Sequence, residues 1–242
     1  MNTRLFKAAF IFMLLTVLLP CFAAPAKALL STQPVGEERT ERFISSRNVT
    51  FLREEPAAQG IQCFAISPNG SLALGIGNQS LGVGTVSVYD RNFTFLYGYT
   101  FELGEGYGLD FDGENLVVYF CRSQLSAILS DDGRCLGLGE IENTQENDSY
   151  WNDTVCATEK KCNGCTYRLG SHLGLLRPFL FYYSDLTKTD ADGNVTVLYR
   201  VSEAKNFLIL GGTAAFVLFG CGGVFLQVRR SIRKGRSKRE DS

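Results

Sequence analysis

Histidine is nearly missing from this 242-residue chain, which has only His172. Metal centres built on several imidazoles are thereby excluded, and any Ser-His-Asp or Cys-His arrangement would have to use that one residue. The chain also lacks a G-x-S-x-G elbow, an H-E-x-x-H helix, a phosphate-binding P-loop and a G-x-G-x-x-G after a strand. No catalytic, cofactor-binding or metal-binding residues are assigned, and no cofactor is expected. Helical crossovers are missing from the middle of the chain, which excludes a parallel α/β sheet. Basic charge is sparse there too. Between Leu29 and Lys205 stand 14 basic and 23 acidic residues, a net charge of −9 that the whole-chain value of −1 conceals. A surface of that sign repels phosphates, so nucleic acid is excluded as a partner.

Charge is absent altogether from two runs near the ends. Arg4 and Lys7 precede twelve uncharged residues, Ala8 to Leu19, and Ala26-Lys27-Ala28 has the A-x-A form of a cleavage site. Twelve residues rise only about 18 Å as helix, short of a hydrocarbon layer about 30 Å thick. Residues 1–28 are therefore expected to be a cleaved signal peptide, with Ala23 or Ala24 as earlier cleavage points. The second run, Phe207 to Leu226, has twenty uncharged residues, eleven of them Leu, Ile, Val or Phe. At about −0.3 to −0.6 kcal/mol each they contribute roughly −3 to −7 kcal/mol toward insertion. Its five glycines would cost a soluble helix about 1 kcal/mol each, whereas glycine is common in membrane spans. A transmembrane helix over residues 206–228 is expected. Beyond it, seven basic residues against Glu240 and Asp241 mark residues 229–242 as a cytoplasmic tail, able to touch anionic headgroups. The expected location is the cell membrane, crossed once, with the N-terminus outside.

Residues 29–58 open with "STQPVGEERTERF" and read as a polar lead-in. From 59 to 205 the dominant period is two. Phe64 and Ile66 share a face, as do Leu72, Leu74 and Ile76, with Ser71, Ala73 and Gly75 between them. Thr85 to Tyr89 alternates, and Phe93, Phe95, Tyr97, Tyr99 and Phe101 fall on one side of the next segment. Tyr107, Leu109 and Phe111 repeat the pattern before Asn115 to Phe120. Alternation with β-branched and aromatic content specifies strands. "SPNGS", "DGEN", "SDDGR", "CNGC" and "TDADGN" supply Gly with Asn or Asp for tight turns. The fold class is mainly β, an antiparallel meander. The small residues of "SLALGIG" leave room for a second sheet to pack closely behind the first. A short helix or loop is expected near Ser171 to Leu176, and a last hairpin at "LTKTDADGNVTVLYRV".

"ISPNGSLAL" has a counterpart in "FDGENLVVYF": Gly113 follows Gly70 by 43 residues and Leu116 follows Leu72 by 44. A period in the low forties is the size of a four-stranded blade. On these residues, Ile61 to Leu138 resembles two consecutive β-propeller blades. The chain also resembles uncharacterised Gram-positive, clostridial-type membrane-anchored surface proteins with such repeats. The likeness covers about a third of the chain. The next copy would begin near residue 156, where Asn143 to Lys161 is polar and acidic instead. A closed propeller needs at least about four blades, so an open or incompletely closed β structure is expected.

Six cysteines lie between the two end segments: Cys63, Cys121, Cys135, Cys156, Cys162 and Cys165. An even count in an exported domain makes all six disulfide candidates, and six permit fifteen pairings. Cys162 and Cys165 can bridge their turn; Cys121 and Cys135 are candidates for neighbouring strands. Reading C-x5-C-x2-C with His172 as a Cys3His zinc site lacks a second paired motif, and the compartment opposes it. Asp110 with Asp112, and Asp131 with Asp132, have the makings of a glycosidase pair. Both sit beside turn glycines that explain them equally well, and "DADGN" reads as a turn rather than a calcium loop. Seven N-x-S/T sequons occur at Asn48, Asn69, Asn78, Asn92, Asn147, Asn152 and Asn194. In a eukaryotic secreted chain these would carry glycans, whereas in a bacterial one they are turn formers.

These features point to a membrane-anchored β-rich module that binds a protein or small-molecule ligand outside the cell, without catalysis. The alternatives are an extracytoplasmic propeller-like hydrolase of lactonase or glycosidase type, and a structural subunit of a membrane complex.

Overall fold

A computed structural model describes residues 29–77, 82–171 and 182–201 of the chain. The signal-peptide segment, the transmembrane run, the basic tail, the proposed helix after Ser171, His172 and Asn78 lie outside them. Among the described residues, fourteen strands form three antiparallel sheets, none of them closed. The first sheet is the meander β3 (Ile61–Ile66), β4 (Leu72–Ile76), β5 (Val83–Tyr89) and β6 (Phe95–Glu102). The second is β7 (Tyr107–Asp112), β8 (Asn115–Phe120), β9 (Leu125–Leu129) and β10 (Cys135–Ile141). The third is β11 (Glu159–Cys162), β12 (Cys165–Gly170), β13 (Asp185–Thr189) and β14 (Val195–Arg200).

This third meander is where the structure departs from the sequence period. Gly70, Gly113 and Gly164 close the first hairpin of the three sheets, with φ of 92°, 61° and 73°. Such angles cost a residue with a Cβ but not glycine. Gly164 follows Gly113 by 51 residues rather than 43, because a helix is inserted between the second and third sheets. That helix, Gln145–Tyr150, is continued by a π-helical turn, Trp151–Val155.

The lead-in is ordered as well. Its strands β1 (Thr32–Pro34) and β2 (Thr50–Leu52) pair with β10 and β6 respectively, giving each of the first two sheets a fifth strand. Between them runs helix α1 (Glu37–Ser46), whose buried residue Phe43 meets the Phe120 ring edge-on at 5.1 Å. The inserted helix Gln145–Tyr150 is α2. At the C-terminal end of α1, the Arg47 guanidinium lies 5.7 Å from the Phe43 ring and 5.4 Å from Phe120 and pairs with Glu105. Burial opposes ionisation of Glu105, but the Ser123 N–H at 2.6 Å, the Ser123 hydroxyl at 3.0 Å and Arg47 hold its carboxyl below the ordinary value.

The first sheet is buried on both faces. Ala65, Ala73, Val86, Val88, Tyr97, Tyr99 and Phe101 meet Leu109, Phe111, Leu116, Val118 and Phe120 of the second sheet. Phe64, Ile66, Leu72, Leu74, Ile76 and Tyr89 face Tyr167, Leu169, Leu186 and Tyr199 of the third. The alternation of β4 thus divides as its residue sizes require, with bulk toward the third sheet and small residues toward the second. A Cβ on Gly75 would stand 2.6 Å from Cys63 Sγ and 2.9 Å from the Tyr107 ring. Through that gap the Tyr107 hydroxyl reaches the carbonyls of Ile76 and Thr85, each at 3.2 Å.

Strand β6 does not keep its aromatics on one side. A bulge pairs Val88 with Tyr97 but Tyr89 with Phe95. The extra residue, Leu96, is exposed, and Phe93 and Phe95 are turned to the opposite face, beside Tyr89. One inserted residue reverses a period-two pattern.

Replacing Gly75 by Val should lower stability to urea by about 1–3 kcal/mol, the cost of overpacking a filled core; equilibrium unfolding against the parent measures it. A second outcome follows from the buried phenols. Burial pushes Tyr97 up to about 12 from 10.0 and raises Tyr89, Tyr99, Tyr107 and Tyr119 further. A raised folded-state value stabilises the fold fully below the unfolded value and is lost as pH climbs through the folded one. The fold should therefore hold to about pH 10 and fail cooperatively toward pH 12, with tyrosinate absorbance and loss of sheet circular dichroism rising together.

Candidate functional site

The β3–β4 turn, the π-helical turn and β11 surround a cleft of about 350 Å³. Ile66, Ser67 and Pro68 form one wall, Asp153, Thr154 and Ala157 a second, and Glu159 to Cys162 a third. Each wall follows from local chemistry. In "SPNGS" the Ser67 N–H donates to Ser71 O at 2.9 Å and Gly70 N–H to Ser67 O at 3.0 Å. The Asn69 side-chain oxygen accepts from the Ser71 N–H at 3.1 Å, an Asx-type closure. Opposite, Asn163 and Gly164 have φ of 49° and 73°, as a two-residue hairpin turn of the Asn-Gly kind requires.

The two turns dock on one another. Cys162 Sγ donates to Ser67 O at 3.4 Å, and Asn163 Nδ2 donates to Pro68 O at 3.3 Å. On β11 the residues alternate, Glu159 and Lys161 exposed, Lys160 and Cys162 turned inward. The Lys160 ammonium lies 5.1 Å from the centre of the Phe64 ring and donates to Val155 O at 3.5 Å. A cation over an aromatic face is attracted by the ring quadrupole while its stem covers apolar surface. Nearby, burial pushes the Cys63 thiol up to about 12, with Lys160 opposing the shift, so Cys63 is protonated at neutral pH. The cleft lining combines apolar Ile66, Pro68 and Ala157 with Asp153, Glu159, Lys160 and Lys161, charges of both signs. Apolar and charged side chains thus meet on one concave surface.

Among the described residues no three His, Cys, Asp or Glu side chains converge. Among the described residues none of the six cysteines is joined in a disulfide. Cys121 follows β8 and Cys135 opens β10, and β9 lies between those strands. Cys162 and Cys165 are direct partners across their turn. Asp110 is buried, accepting the Phe111 N–H at 2.9 Å and the Tyr150 hydroxyl, and so ties α2 to the second sheet, while Asp112 is exposed. Asp132 is held down at about 2 by Arg134, whose Nε lies 2.8 Å away, and by the Ser130 hydroxyl. Asp190 accepts the N–H groups of Asp192 at 3.0 Å and Asn194 at 2.8 Å, so "DADGN" is a turn. Asn48, Asn69, Asn92, Asn152 and Asn194 are exposed. Asn147 is buried. Its Oδ1 accepts the Ser31 N–H at 2.8 Å, and its Nδ2 donates to Ser31 O at 3.0 Å and Glu142 O at 2.7 Å.

A second groove, of about 420 Å³, runs between Glu37, Glu41 and Ile44 of α1 and Cys135. The cleft residues Ser67, Asp153 and Lys160 had no signal in the sequence, since they belong to segments far apart along the chain. No protein-family model matches the chain, and no curated protein matches it.

Asn147→Ala should cost about 1–3 kcal/mol by removing three hydrogen bonds and leaving the Ser31 N–H without its acceptor, while Asn92→Ala should stay within about 0.5 kcal/mol of the parent. Parallel urea titrations distinguish the two.

Proposed function

We propose that the chain is a membrane-anchored extracytoplasmic module of three blade-like meanders in an open arrangement. It binds a protein or small-molecule ligand in the cleft beside β11 and carries out no catalysis. The export leader, the apolar run at 207–226 and the basic residues after it support the anchoring. The first-hairpin glycines Gly70, Gly113 and Gly164 support the blade-like reading.

One observation carries the reading of the cleft. Asp185 is the register partner of both Gly170 and Arg200, so the end of β12, the start of β13 and the end of β14 share one edge of the third sheet. From that edge the chain continues through Val201 toward the apolar run, six residues later. Six residues span at most about 20 Å, which favours this edge facing the bilayer. The β11–β12 and β13–β14 turns, with the β3–β4 turn docked on the former, lie at the far end of the sheet. A cleft there opens away from the membrane, where an extracellular ligand arrives unobstructed.

Two measurements on intact cells test this. A protease site inserted in the exposed turn after Asp190 should be cut from outside, and one appended after Ser242 only once the cells are opened; the reverse pattern would refute the topology. A photo-crosslinking residue at Pro68 or Asp153 should yield an adduct that one at Arg42, on the exposed face of α1, does not. Equal yields would remove the cleft from the proposal.

A further inference from the structure

The β11–β12 hairpin carries two thiols, one of which, Cys162, also stands in the cleft wall. Cys162 and Cys165 flank Asn163-Gly164 and are partnered in register. Directly opposed residues on antiparallel strands project to the same face, with Cα atoms about 5.5 Å apart at a hydrogen-bonded pair. That separation lies inside the range of about 4.4–6.8 Å that a disulfide spans. Both residues are half-buried, and both pack toward the core between the first and third sheets. Among the described residues the other four cysteines have no such partner. Cys63 is opposed by Gly75 and Cys135 by Leu129, while Cys121 and Cys156 fall outside the strands.

We propose that Cys162 and Cys165 are a redox-active dithiol that exchanges with a low-molecular-weight disulfide of the glutathione class. One thiol loses its proton, and the thiolate attacks a sulfur of the oxidant, breaking its S–S bond and expelling one thiolate. The other half stays attached as a mixed disulfide. The second cysteine, deprotonated in turn, attacks the protein sulfur of that mixed disulfide and releases the remaining half. In sum, two protein thiols give up two electrons and two protons, and one oxidant disulfide becomes two thiols. The ring so closed contains only the four residues Cys162 to Cys165, so it removes little freedom from the unfolded chain. A bond that stabilises so little, at a hairpin tip, is a reversible one rather than a staple. Oxidation also removes the Cys162 S–H that donates to Ser67 O, a bond between the docked turns beside that of Asn163 Nδ2. The redox state of the hairpin is thereby coupled to the wall of the cleft.

The test uses the full-length protein in lipid nanodiscs, equilibrated across reduced and oxidised glutathione and trapped with N-ethylmaleimide. The tryptic peptide Cys162–Arg168 holds both cysteines and no others. It should pass from two maleimide adducts to none, with loss of two hydrogens, and the closed form should exceed its mixed disulfide on the order of tenfold, as an intramolecular partner dictates. Cys165→Ser should stop at glutathione on Cys162, and Cys162→Ser at glutathione on Cys165, while Cys63→Ser leaves the transition unchanged. Two stable glutathione adducts on the parent peptide, a bridge from either residue to a different cysteine, or two thiols still alkylated in the most oxidising buffer would each overturn the proposal. The parent titration alone decides it if a serine variant fails to fold.

Discussion

Burial of the first sheet on both sides governs the molecule. A sheet that meets solvent on one face needs a single apolar set. This one needs two sets, of different sizes, on the same five residues of β4. Leu72, Leu74 and Ile76 fill the space toward the third sheet; Ala73 and Gly75 clear it on the other side for Cys63 and the Tyr107 ring. A larger residue at Gly75 separates the sheets, and a smaller one at Leu74 leaves a void that packed neighbours cannot fill. Because both neighbouring sheets rest on this one, their relative placement, and with it the cleft between the β3–β4 turn and β11, depends on how β4 apportions its side chains.

Much of this architecture was legible in the chain, for a definite reason. Period-two alternation is a local property, and β3, β4, β5, β7 and β8 display it within their own few residues. The face of Phe93 and Phe95 was not, because the bulge at Leu96 depends on pairing with β5 rather than on composition. Strands β1 and β2 have three residues each, too few to carry a period, and exist because the edges of β10 and β6 accept them. The third meander was hidden by α2 and the π-helical turn, which displace Gly164 from the spacing set by Gly70 and Gly113.

The cleft was the least legible part. Ser67 and Lys160 are 93 residues apart, and the turn sequence that holds Ser67 says nothing of Lys160. What brings them together is the docking of two Asn-Gly turns, each specified by its own sequence while their mutual contact is not. The same division applies to the carboxylates and asparagines: the turn roles of Asp132 and Asp190 could be read locally, whereas the buried roles of Asp110 and Asn147 exist only because α2 folds back over the second sheet and the Ser31 backbone.

The pairing of β1 with β10 joins Thr32 to Ile141, a closure spanning more than a hundred residues. Contacts so distant along the chain form late, after local hairpins have already repaid their entropy. During synthesis the meanders of the first two sheets can assemble as they emerge, while the outer edge of β10 stays bare until the stretch around Thr32 finds it. Bare edges are where chains join their neighbours instead of themselves. The ten-residue helix α1, bolted down by Arg47 and Glu105, holds that stretch near its destination and so shortens the interval in which a nascent molecule is open to the wrong partner.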